Sequence, residues 1–336
     1  MKKLFLLLAL WQCVAAQTPA LLTFYFLDMH GGASTLIVTP SGESILIDTG
    51  SLEPEGRDSG RILQACRDAN LRRIDHLITT HFHSDHFGAL LPVVKEIAVR
   101  RFYDKGAPPS AGEQQGAWYK RLMPLYQEAT KGKARNIKRG EHIPLRDKNL
   151  KLRCVAAEKK VIGFDGDIDA AGPDFSARAA DESDNGRSIA LLLTWGEFSA
   201  FLGGDITHNV EQHLVWPVNR LGQVDLYQVT HHGLGLSNNP LLIQAIQPVV
   251  AVAPNGPQKG VQPITFQALR SVPSLKALYQ LHNNAAYGAS GNTEQELIAN
   301  LDANRGGRYV RVVVDLAARQ MRVRLGAEGA DRVYSF

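Results

Sequence analysis

Three histidines and one aspartate lie within positions 81–86, directly after a segment with the pattern of a buried strand. Imidazole and carboxylate groups are ligands of zinc-type ions, which need three or four donors held by a rigid sheet. His81 and His83 alternate in an extended turn and can face one metal. Asp85 and His86 fall on the other side and can face a second. Because such a run is rare by chance in a surface loop, it predicts a centre for two zinc ions, with a single ion, manganese or iron as alternatives.

Two later segments place metal-ligating side chains at predicted strand ends. Asp205 follows two glycines directly after an apolar run, where a carboxylate can bridge two metals while the glycines leave room for the ions. An aspartate there is more often a turn former or a helix cap, but the histidine run favours the ligand interpretation. His231 and His232 end another apolar run before Gly233, and one of them should complete the shell of the second metal.

These ligands require a sheet, and the apolar segments predict one. Short β-rich runs indicate strands, while apolar residues at helical spacing indicate helices. In the first half the predicted elements are strands at Leu22–Asp28, Thr35–Thr39, Ser44–Asp48 and Ile74–Thr80 and helices at Ile62–Leu71 and Phe87–Ile97. In the second half they are strands at Ser188–Trp195, Phe198–Leu202, Val224–Thr230 and Val249–Ala253, helices at His208–Trp216 and Leu241–Ile246, and a hairpin of Arg308–Asp315 with Gln320–Leu325. The histidine run therefore lies in a loop between a strand and a helix.

The interval from about residue 106 to 181 matches this rhythm less well, although it contains a predicted amphipathic helix at Trp118–Thr130. We expect it to be an insertion near the cleft of a single domain that spans residues 17–336. His208 and His213 lie five residues apart on a predicted helix and do not share a face well, so they are expected at the surface.

The first residues have the pattern of a secretory signal peptide, with two lysines before the apolar stretch Leu4–Val14. We expect cleavage near Ala16 to remove residues 1–16 and to leave a secreted or periplasmic protein. A lipid anchor at Cys13 is an alternative, but Gln12 stands where such signals need a small residue. No later segment reaches the ~20 apolar residues of a bilayer span, so no stable membrane span is expected.

Composition indicates a folded globular protein, because 44% of the 336 residues are hydrophobic and 21% are charged. The formal net charge of +4 includes two lysines of the predicted signal peptide. The mature surface is then only mildly basic, which neither demands nor excludes a phosphate-bearing substrate. After cleavage Cys66 and Cys154 remain; they could pair in an oxidising compartment, but we favour two buried free thiols.

Basic side chains cluster in and next to the proposed insertion, where they could contact phosphates or simply form a solvated face. They are Lys105, Lys131, Lys133, Arg135, Lys138 and Arg139. The chain has neither a Gly-x-Ser-x-Gly motif nor a Gly-rich phosphate loop, so a serine hydrolase or a nucleotide-using enzyme is unsupported.

The His-x-His-x-Asp-His run, the later Gly-Asp and the terminal His-His-Gly together resemble the metallo-β-lactamase superfamily. The resemblance implies an α/β fold, a four-layer αββα sandwich, and a metal-dependent hydrolase. It also implies that Asp48 supports the metal loop by hydrogen bonding. Because Gly233 matches the glycine after the superfamily's ligand histidine, His232 is the expected ligand and His231 contacts substrate or metal from outside. The reverse assignment is the alternative.

A narrower resemblance extends over most of residues 22–235. Ile45–Gly50, Asp184-Asn185 and Ser188-Ile189 are similar to the hydrolase domain of ComEC-type DNA-uptake proteins, here in a free-standing form. The turn at His30–Ser34 departs from that branch. No histidine stands at the superfamily's third metal motif, where Asp184 or Asn185 lies instead, so binding of the first metal is expected to be weaker.

A zinc-type ion lowers the pKa of a bound water from ~15.7 to near 7, so hydroxide can attack a carbonyl or phosphorus centre at neutral pH. Asp85 or Asp205 can orient this hydroxide, and His231 can steady the developing charge. The leading hypothesis, implied by the competence branch and a related phosphorylcholine esterase, is a phosphodiesterase for nucleic acid or an envelope phosphoester. The alternatives are a lactonase or β-lactamase that opens a small cyclic ester or amide, and a catalytically silent member that binds ligand or metal.

Overall fold

The computed structural model describes residues 21–169, 179–303 and 306–336. The predicted signal peptide, residues 1–16, lies outside this part of the chain. Within the described residues, no helix combines the length and the apolar character that crossing a membrane requires.

The secondary structure follows the predicted alternation of short strands and helices. In chain order the strands are β1 Leu22–Phe26, β2 Thr35–Val38, β3 Ser44–Ile47, β4 Arg73–Ile74, β5 His76–Ile78, β6 Ala98–Val99, β7 Phe102–Asp104, β8 Arg135–Asn136, β9 His142–Ile143, β10 Leu150–Ala157, β11 Lys160–Val161, β12 Ala190–Trp195, β13 Phe198–Leu202, β14 Leu226–Gln228, β15 Val250–Ala253, β16 Ala277–His282, β17 Ile298–Asn300, β18 Val310–Asp315, β19 Gln320–Leu325 and β20 Arg332–Ser335. The α-helices are α1 Arg57–Asp68, α2 Ser84–Phe87, α3 Leu90–Glu96, α4 Ala111–Gln114, α5 Ala117–Thr130, α6 His208–Val215, α7 Pro240–Ile246 and α8 Pro263–Arg270.

Two large sheets carry the fold. The first has the strand order β20-β19-β18-β1-β2-β3-β5-β7-β8, and the second has the order β11-β10-β12-β13-β14-β15-β16-β17, with β9 beside β10. Strands β3, β5, β7 and β8 are parallel, and so are β13 to β17. Ligand-bearing loops in such sheets lie beyond the carboxyl ends of parallel strands. The predicted metal ligands follow β5, β13 and β14, so they lie at such ends.

Strand β1 illustrates why the sheets pack on both faces. Successive side chains of a strand point to opposite sides, and both sides of β1 are apolar. Leu22, Phe24 and Phe26 enter the core between the two sheets, whereas Tyr25 enters the core under the helices. A strand that is hydrophobic on both faces can be stable only in the interior of a layered structure.

Helices cover the outer face of each sheet. Ile62 of α1, Leu90 of α3 and Tyr126 of α5 share a core with the first sheet. Val210 of α6 and Leu242 of α7 belong to the corresponding core on the second sheet. The order of layers is therefore helix, sheet, sheet, helix, as predicted.

The interval predicted as an insertion is only partly one. Strand β10 lies within it and pairs with β12 of the second sheet, and its residues Leu152 and Cys154 are buried between the sheets. The insertion prediction was wrong for this segment, because Lys151 and Arg153 alternate with buried neighbours as in an ordinary strand. Residues 170–178 of the interval lie outside the described residues.

Four buried side chains bear on other expectations from the sequence. His208 and His213 are buried rather than at the surface, because α6 packs against α7 and the His213 ring stacks on Phe164 with centroids 4.0 Å apart. Cys66 and Cys154 are free, buried thiols in different cores, as favoured. Burial raises the pKa of the Cys66 thiol to about 11 and that of Cys154 to about 12.

Candidate metal centre

The loop after β5 is held in place by one buried carboxylate. Asp48 follows β3 and accepts hydrogen bonds from the Thr80 backbone N–H at 2.8 Å and from the Thr80 hydroxyl at 2.8 Å. Its Oδ2 also accepts from Nδ1 of His86 at 2.7 Å. Because this bond uses Nδ1, it leaves Nε2 of His86 as the atom that faces the cluster. The expected supporting role of Asp48 is therefore confirmed in its hydrogen bonds.

Asp205 lies at the centre of four imidazoles. Its Oδ2 is 3.1 Å from Nε2 of His86 and 3.3 Å from Nε2 of His232. The same oxygen is 3.5 Å from Nε2 of His231 and 3.9 Å from Nε2 of His81. The helix-cap alternative is not what this side chain does, since it accepts no N–H of α6 and its oxygen faces the histidines. A carboxylate so placed could bridge two ions, and this role stays a prediction.

A second group of donors lies on the other side of His86. Its Nε2 is 3.3 Å from Nε2 of His232, and Oδ2 of Asp85 is 3.5 Å from that His232 atom. The His232 Nδ1 bonds to the carbonyl of Pro254 at 2.9 Å, so this nitrogen carries the proton and Nε2 is left with its lone pair. His231 instead bonds through Nδ1 to the hydroxyl of Ser237. The geometry favours His232 as the ligand.

The electrostatics of the cluster reflect many acids and imidazoles in a small, dry volume. Burial disfavours a charged His86, but three carboxylates led by Asp205 outweigh this and raise its pKa well above the ordinary value. Burial likewise opposes ionisation of Asp205, yet His86 and His232 hold its pKa well below the usual range. Burial and the neighbouring His86 depress the pKa of His81. Burial lowers the pKa of His231 to about 4, so it is neutral at pH 7.

These donors fit divalent metal ions. Zinc binds imidazole and carboxylate atoms at ~2.0–2.2 Å, which places neighbouring ligand atoms roughly 3–4 Å apart, and the separations from 3.1 to 3.9 Å around Asp205 lie in this range. Two groups of donors meet this condition in the described residues: His81 with His86 and Asp205, and Asp85 with His86 and His232. His81 Nε2 is buried and has no hydrogen-bond partner there, which is costly unless an ion binds it.

His83 is the predicted ligand that neither group contains. Its ring lies edge-on to His81 with centroids 4.7 Å apart, but its Nε2 bonds to Oε1 of Glu113 at 2.8 Å. Hydrogen bonds from His83 and Ser110 lower the pKa of Glu113 against the opposing effect of burial. An ionised carboxylate can only accept, so Nε2 of His83 carries the proton and Nδ1 keeps the lone pair for an ion.

Glu113 was missed by sequence reasoning. It lies in the short helix α4, where it forms a capping box with Ser110, and it also accepts the backbone N–H of Asp184. The Ser-x-x-Glu spacing of Ser110 and Glu113 was a visible capping signal, but nothing in it indicated a histidine partner thirty residues away.

The position expected for the third metal motif is occupied by a structural carboxylate. Asp184 is fully buried, accepts the backbone N–H of Phe82 at 2.7 Å and lies 2.9 Å from Nζ of Lys105. It thereby fixes the backbone between His81 and His83. The neighbouring Asn185 is buried, and its Oδ1 has no hydrogen-bond partner among the described residues.

Comparison with known proteins decides the family. The sequence model of the metallo-β-lactamase superfamily matches residues 28–237, more than half of the chain and every predicted ligand. The chain belongs to the metallo-β-lactamase superfamily. The predicted superfamily and its sandwich fold are thus confirmed, while the narrower resemblance to ComEC-type hydrolases stays a prediction.

Similar proteins include metal-dependent hydrolases and a diiron enzyme. The UPF0173 metal-dependent hydrolase of Thermodesulfovibrio yellowstonii is 34% identical over 109 residues, which are 32% of this chain and 37% of that protein. The chain therefore spans little more than a third of this relative's length. A solved metal-dependent hydrolase of the β-lactamase superfamily has a TM-score of 0.45 at 12% identity and covers 78% of this chain and 97% of its own. CmlA, a diiron β-hydroxylase from Streptomyces venezuelae, has a TM-score of 0.38 at 16% identity over 78% of this chain and 48% of its own.

The Glu113–His83 contact gives a direct prediction. Glu113→Gln keeps the shape of the side chain but removes the negative charge that fixes the His83 tautomer. Because loss of such a partner typically weakens metal binding about 10–100-fold, we expect zinc affinity to fall by about tenfold with an unchanged melting temperature of the metal-free protein. Chelator competition measures the affinity, and Glu96→Gln, at an exposed position of α3, is the control. Equal affinity in both variants would contradict the assignment.

Proposed function

We propose that this protein is a metal-dependent hydrolase, and that its substrate is a phosphodiester. The observation that carries the first part is the position of Asp205, whose Oδ2 lies within 3.1 to 3.9 Å of four imidazole Nε2 atoms. A divalent metal bound there supplies a Lewis acid and lowers the pKa of a water to near neutrality. The donor set has no thiolate; carboxylates and imidazoles suit zinc, manganese and iron alike.

The residues around the centre can bind the metal, activate a water and stabilise charge on the substrate. His81, His86 and Asp205 would hold one metal ion, and Asp85, His86 and His232 would hold a second. His83, whose ring lies edge-on to His81, would add a further donor to the first ion. Asp85 is ionised, because burial is outweighed by the charges of His86 and Lys259, which lower its pKa. Its carboxylate can therefore orient a water and accept its proton. His231 is neutral at pH 7 and can steady charge that develops on the substrate oxygen.

A basic groove supports a phosphodiester as substrate. The predicted basic cluster divides in the structure: Lys105 is buried between Asp184 and Glu158, and Arg139 pairs with Asp165. Three other members, Lys131, Lys133 and Arg135, join cations from α3 and from the segment before β7 around a groove of about 830 Å³, which Lys138 does not line. The basic residues of this groove are Lys95, Arg100, Arg101, Lys131, Lys133 and Arg135. A concentration of one charge sign in a groove attracts the opposite charge. None of the metal ligands lines this groove, so it can engage only a polymeric phosphodiester that extends beyond the metal centre.

The narrower resemblance to ComEC-type hydrolases gives the same substrate class, with nucleic acid or an envelope phosphoester as the polymer. The alternative is a lactonase or β-lactamase, for which the same metal centre would serve equally well. A silent, ligand-binding member is the remaining alternative. We also propose that residues 1–16 direct the protein to the periplasm or outside the cell.

A substrate screen tests the proposal. The protein loaded with zinc or manganese is assayed with bis-nitrophenyl phosphate, a chromogenic cephalosporin and a lactone. We expect the diester to be cleaved and the metal-free protein to be inactive. Turnover of the cephalosporin or lactone without diester cleavage would replace the proposal by the alternative, and inactivity on all three would favour the silent member.

The groove has its own test within the same assay. Replacing Lys131, Lys133 and Arg135 by glutamine should raise the KM for a polymeric phosphodiester and flatten its dependence on salt. The KM for the small diester should stay unchanged, because that substrate does not reach along the groove. A parallel rise for both substrates would show that the groove is not a polymer site.

A further inference from the structure

The loop between β15 and α8 is fastened to the His231-His232-Gly233 turn. The Val261 N–H donates to the carbonyl of His232 at 3.0 Å, and the Gln262 N–H donates to the carbonyl of Gly233 at 2.9 Å. At the start of the loop the carbonyl of Pro254 accepts from His232 Nδ1. These three hydrogen bonds tie the loop to His232 and Gly233. The loop backbone therefore has a fixed position relative to the ligand His232.

Lys259 is the side chain that this loop directs to the centre. Its Nζ lies 2.5 Å from Oδ2 of Asp85, the oxygen that is 3.5 Å from Nε2 of His232. The backbone carbonyl of Lys259 accepts the Gly256 N–H, which closes the turn behind it. The side chain is 37% exposed. The ammonium group therefore reaches the cluster from the solvent side, where a substrate must enter.

Lys105, another lysine near the histidine run, is already paired with two carboxylates. Lys105 is buried, and its Nζ lies 2.9 Å from carboxylate oxygens of both Glu158 and Asp184. Lys259 has one carboxylate partner, Asp85, and that carboxylate belongs to a donor group for a metal. When an ion shares the charge of Asp85, the attraction between Asp85 and the ammonium weakens, and an anion in the cleft becomes the stronger partner.

We propose that Lys259 binds an anionic oxygen of the substrate beside the metal centre, and that it thereby selects substrates with a negatively charged reacting group. This inference rests on the proposed hydrolase function and narrows it. A phosphodiester presents one oxygen to the metals and a second, charged oxygen to Nζ, whereas a neutral lactone offers no charge for this side chain. Hydrogen bonds between an ammonium group and an anionic oxygen are stronger than neutral ones.

Binding of inorganic phosphate tests this anion site without requiring that the protein hydrolyse a substrate. Its dissociation constant is measured by calorimetry on the zinc-loaded wild type and on Lys259→Met, Lys259→Arg and Lys276→Met. Lys276 is an exposed lysine that neighbours none of the ligands. We expect Lys259→Met to weaken phosphate binding about 10–100-fold, the usual effect of losing a charged hydrogen bond. Arginine should retain most of the affinity, Lys276→Met should match the wild type, and metal content should be equal in all.

Each outcome has a definite meaning. Phosphate binding by Lys259→Met within about twofold of the wild type, with full metal content, would overturn the proposal. If Lys259→Met has a lowered melting temperature, Lys259→Gln repeats the measurement with a polar side chain of similar length. Weakened phosphate binding in a protein that cleaves no diester would keep the anion site and reject the phosphodiesterase. If the protein cleaves the diester but its phosphate affinity does not depend on Lys259, the phosphodiesterase function is kept and the anion site at Lys259 is rejected.

Discussion

Asp205→Ala is expected to remove metal from both halves of the centre and to lower kcat/KM for the diester at least about a thousandfold, because a catalytic ion contributes several kcal/mol to the transition state. Asp205 Oδ2 is close to His81 and His86 on one side and to His232 on the other. No other described carboxylate has this position, so nothing replaces it. The two sheets do not depend on the side chain, and circular dichroism should be unchanged.

Metal analysis distinguishes this bridging role from a simple ligand role. Asp85→Ala removes a donor near His86 and His232 only, so it should lose one of the two sites, whereas Asp205→Ala should lose both. Asp147→Ala, which removes a turn carboxylate that accepts the Asn149 N–H, is the control for loss of negative charge. Retention of one ion by Asp205→Ala would show that Asp205 serves a single site.

Gly260→Ala is expected to destabilise the protein by about 3 kcal/mol and to impair metal binding at His232. Gly260 has a φ of +92°, and an added Cβ would lie 2.0 Å from the backbone carbonyl oxygen of His232 and 3.0 Å from Asn255. The His232 carbonyl and the loop cannot shift independently of each other, because the Val261 N–H donates to that same oxygen. The His232 backbone must therefore move, and the ligand moves with it.

A second glycine, Gly222, is a control that distinguishes the steric clash from ordinary backbone strain. Gly222 also has a positive φ, +73°, but an added Cβ there would have nothing within 4 Å. Gly222→Ala should cost only about 1 kcal/mol and leave zinc affinity unchanged. Chemical denaturation gives the free energies and chelator competition gives the affinities. If both variants lose the same stability and keep their zinc, the contact between Gly260 and His232 does not position the ligand.

Much of the centre was predictable because its residues are local in sequence. The run from His81 to His86 contains four donors and follows a segment that has the pattern of a buried strand, so composition and spacing alone indicate a metal loop. Asp205 and His232 were predictable for a similar reason: each lies within four residues of the end of a largely apolar strand, β13 or β14. The boundaries of β13 agree with the prediction, since Phe198–Leu202 is an apolar run, broken only by Ser199, between two turns that contain glycine.

The remaining features arise from contacts between segments that are far apart in the chain. Glu113 and Lys259 meet His83 and Asp85 only after the loops have folded over the sheet edge, and no local pattern marks either residue. His208 and His213 were expected at the surface because they do not share a helix face well, yet seven of the eight residues of α6 are buried. Strand β10 was missed because its alternation was outweighed by the polar loops around it.

The pairing of β1 with β18 determines when the first sheet can form during synthesis of the chain. Leu22 lies opposite Val314, almost the whole chain away, and β18 is the strand that covers the free edge of β1. A ribosome therefore releases the histidine run long before the sheet that holds it can close. Contacts so distant in sequence slow folding, so a nascent chain stopped before residue 310 should stay open to proteases, and metal added during synthesis should be retained only once the last hairpin has joined.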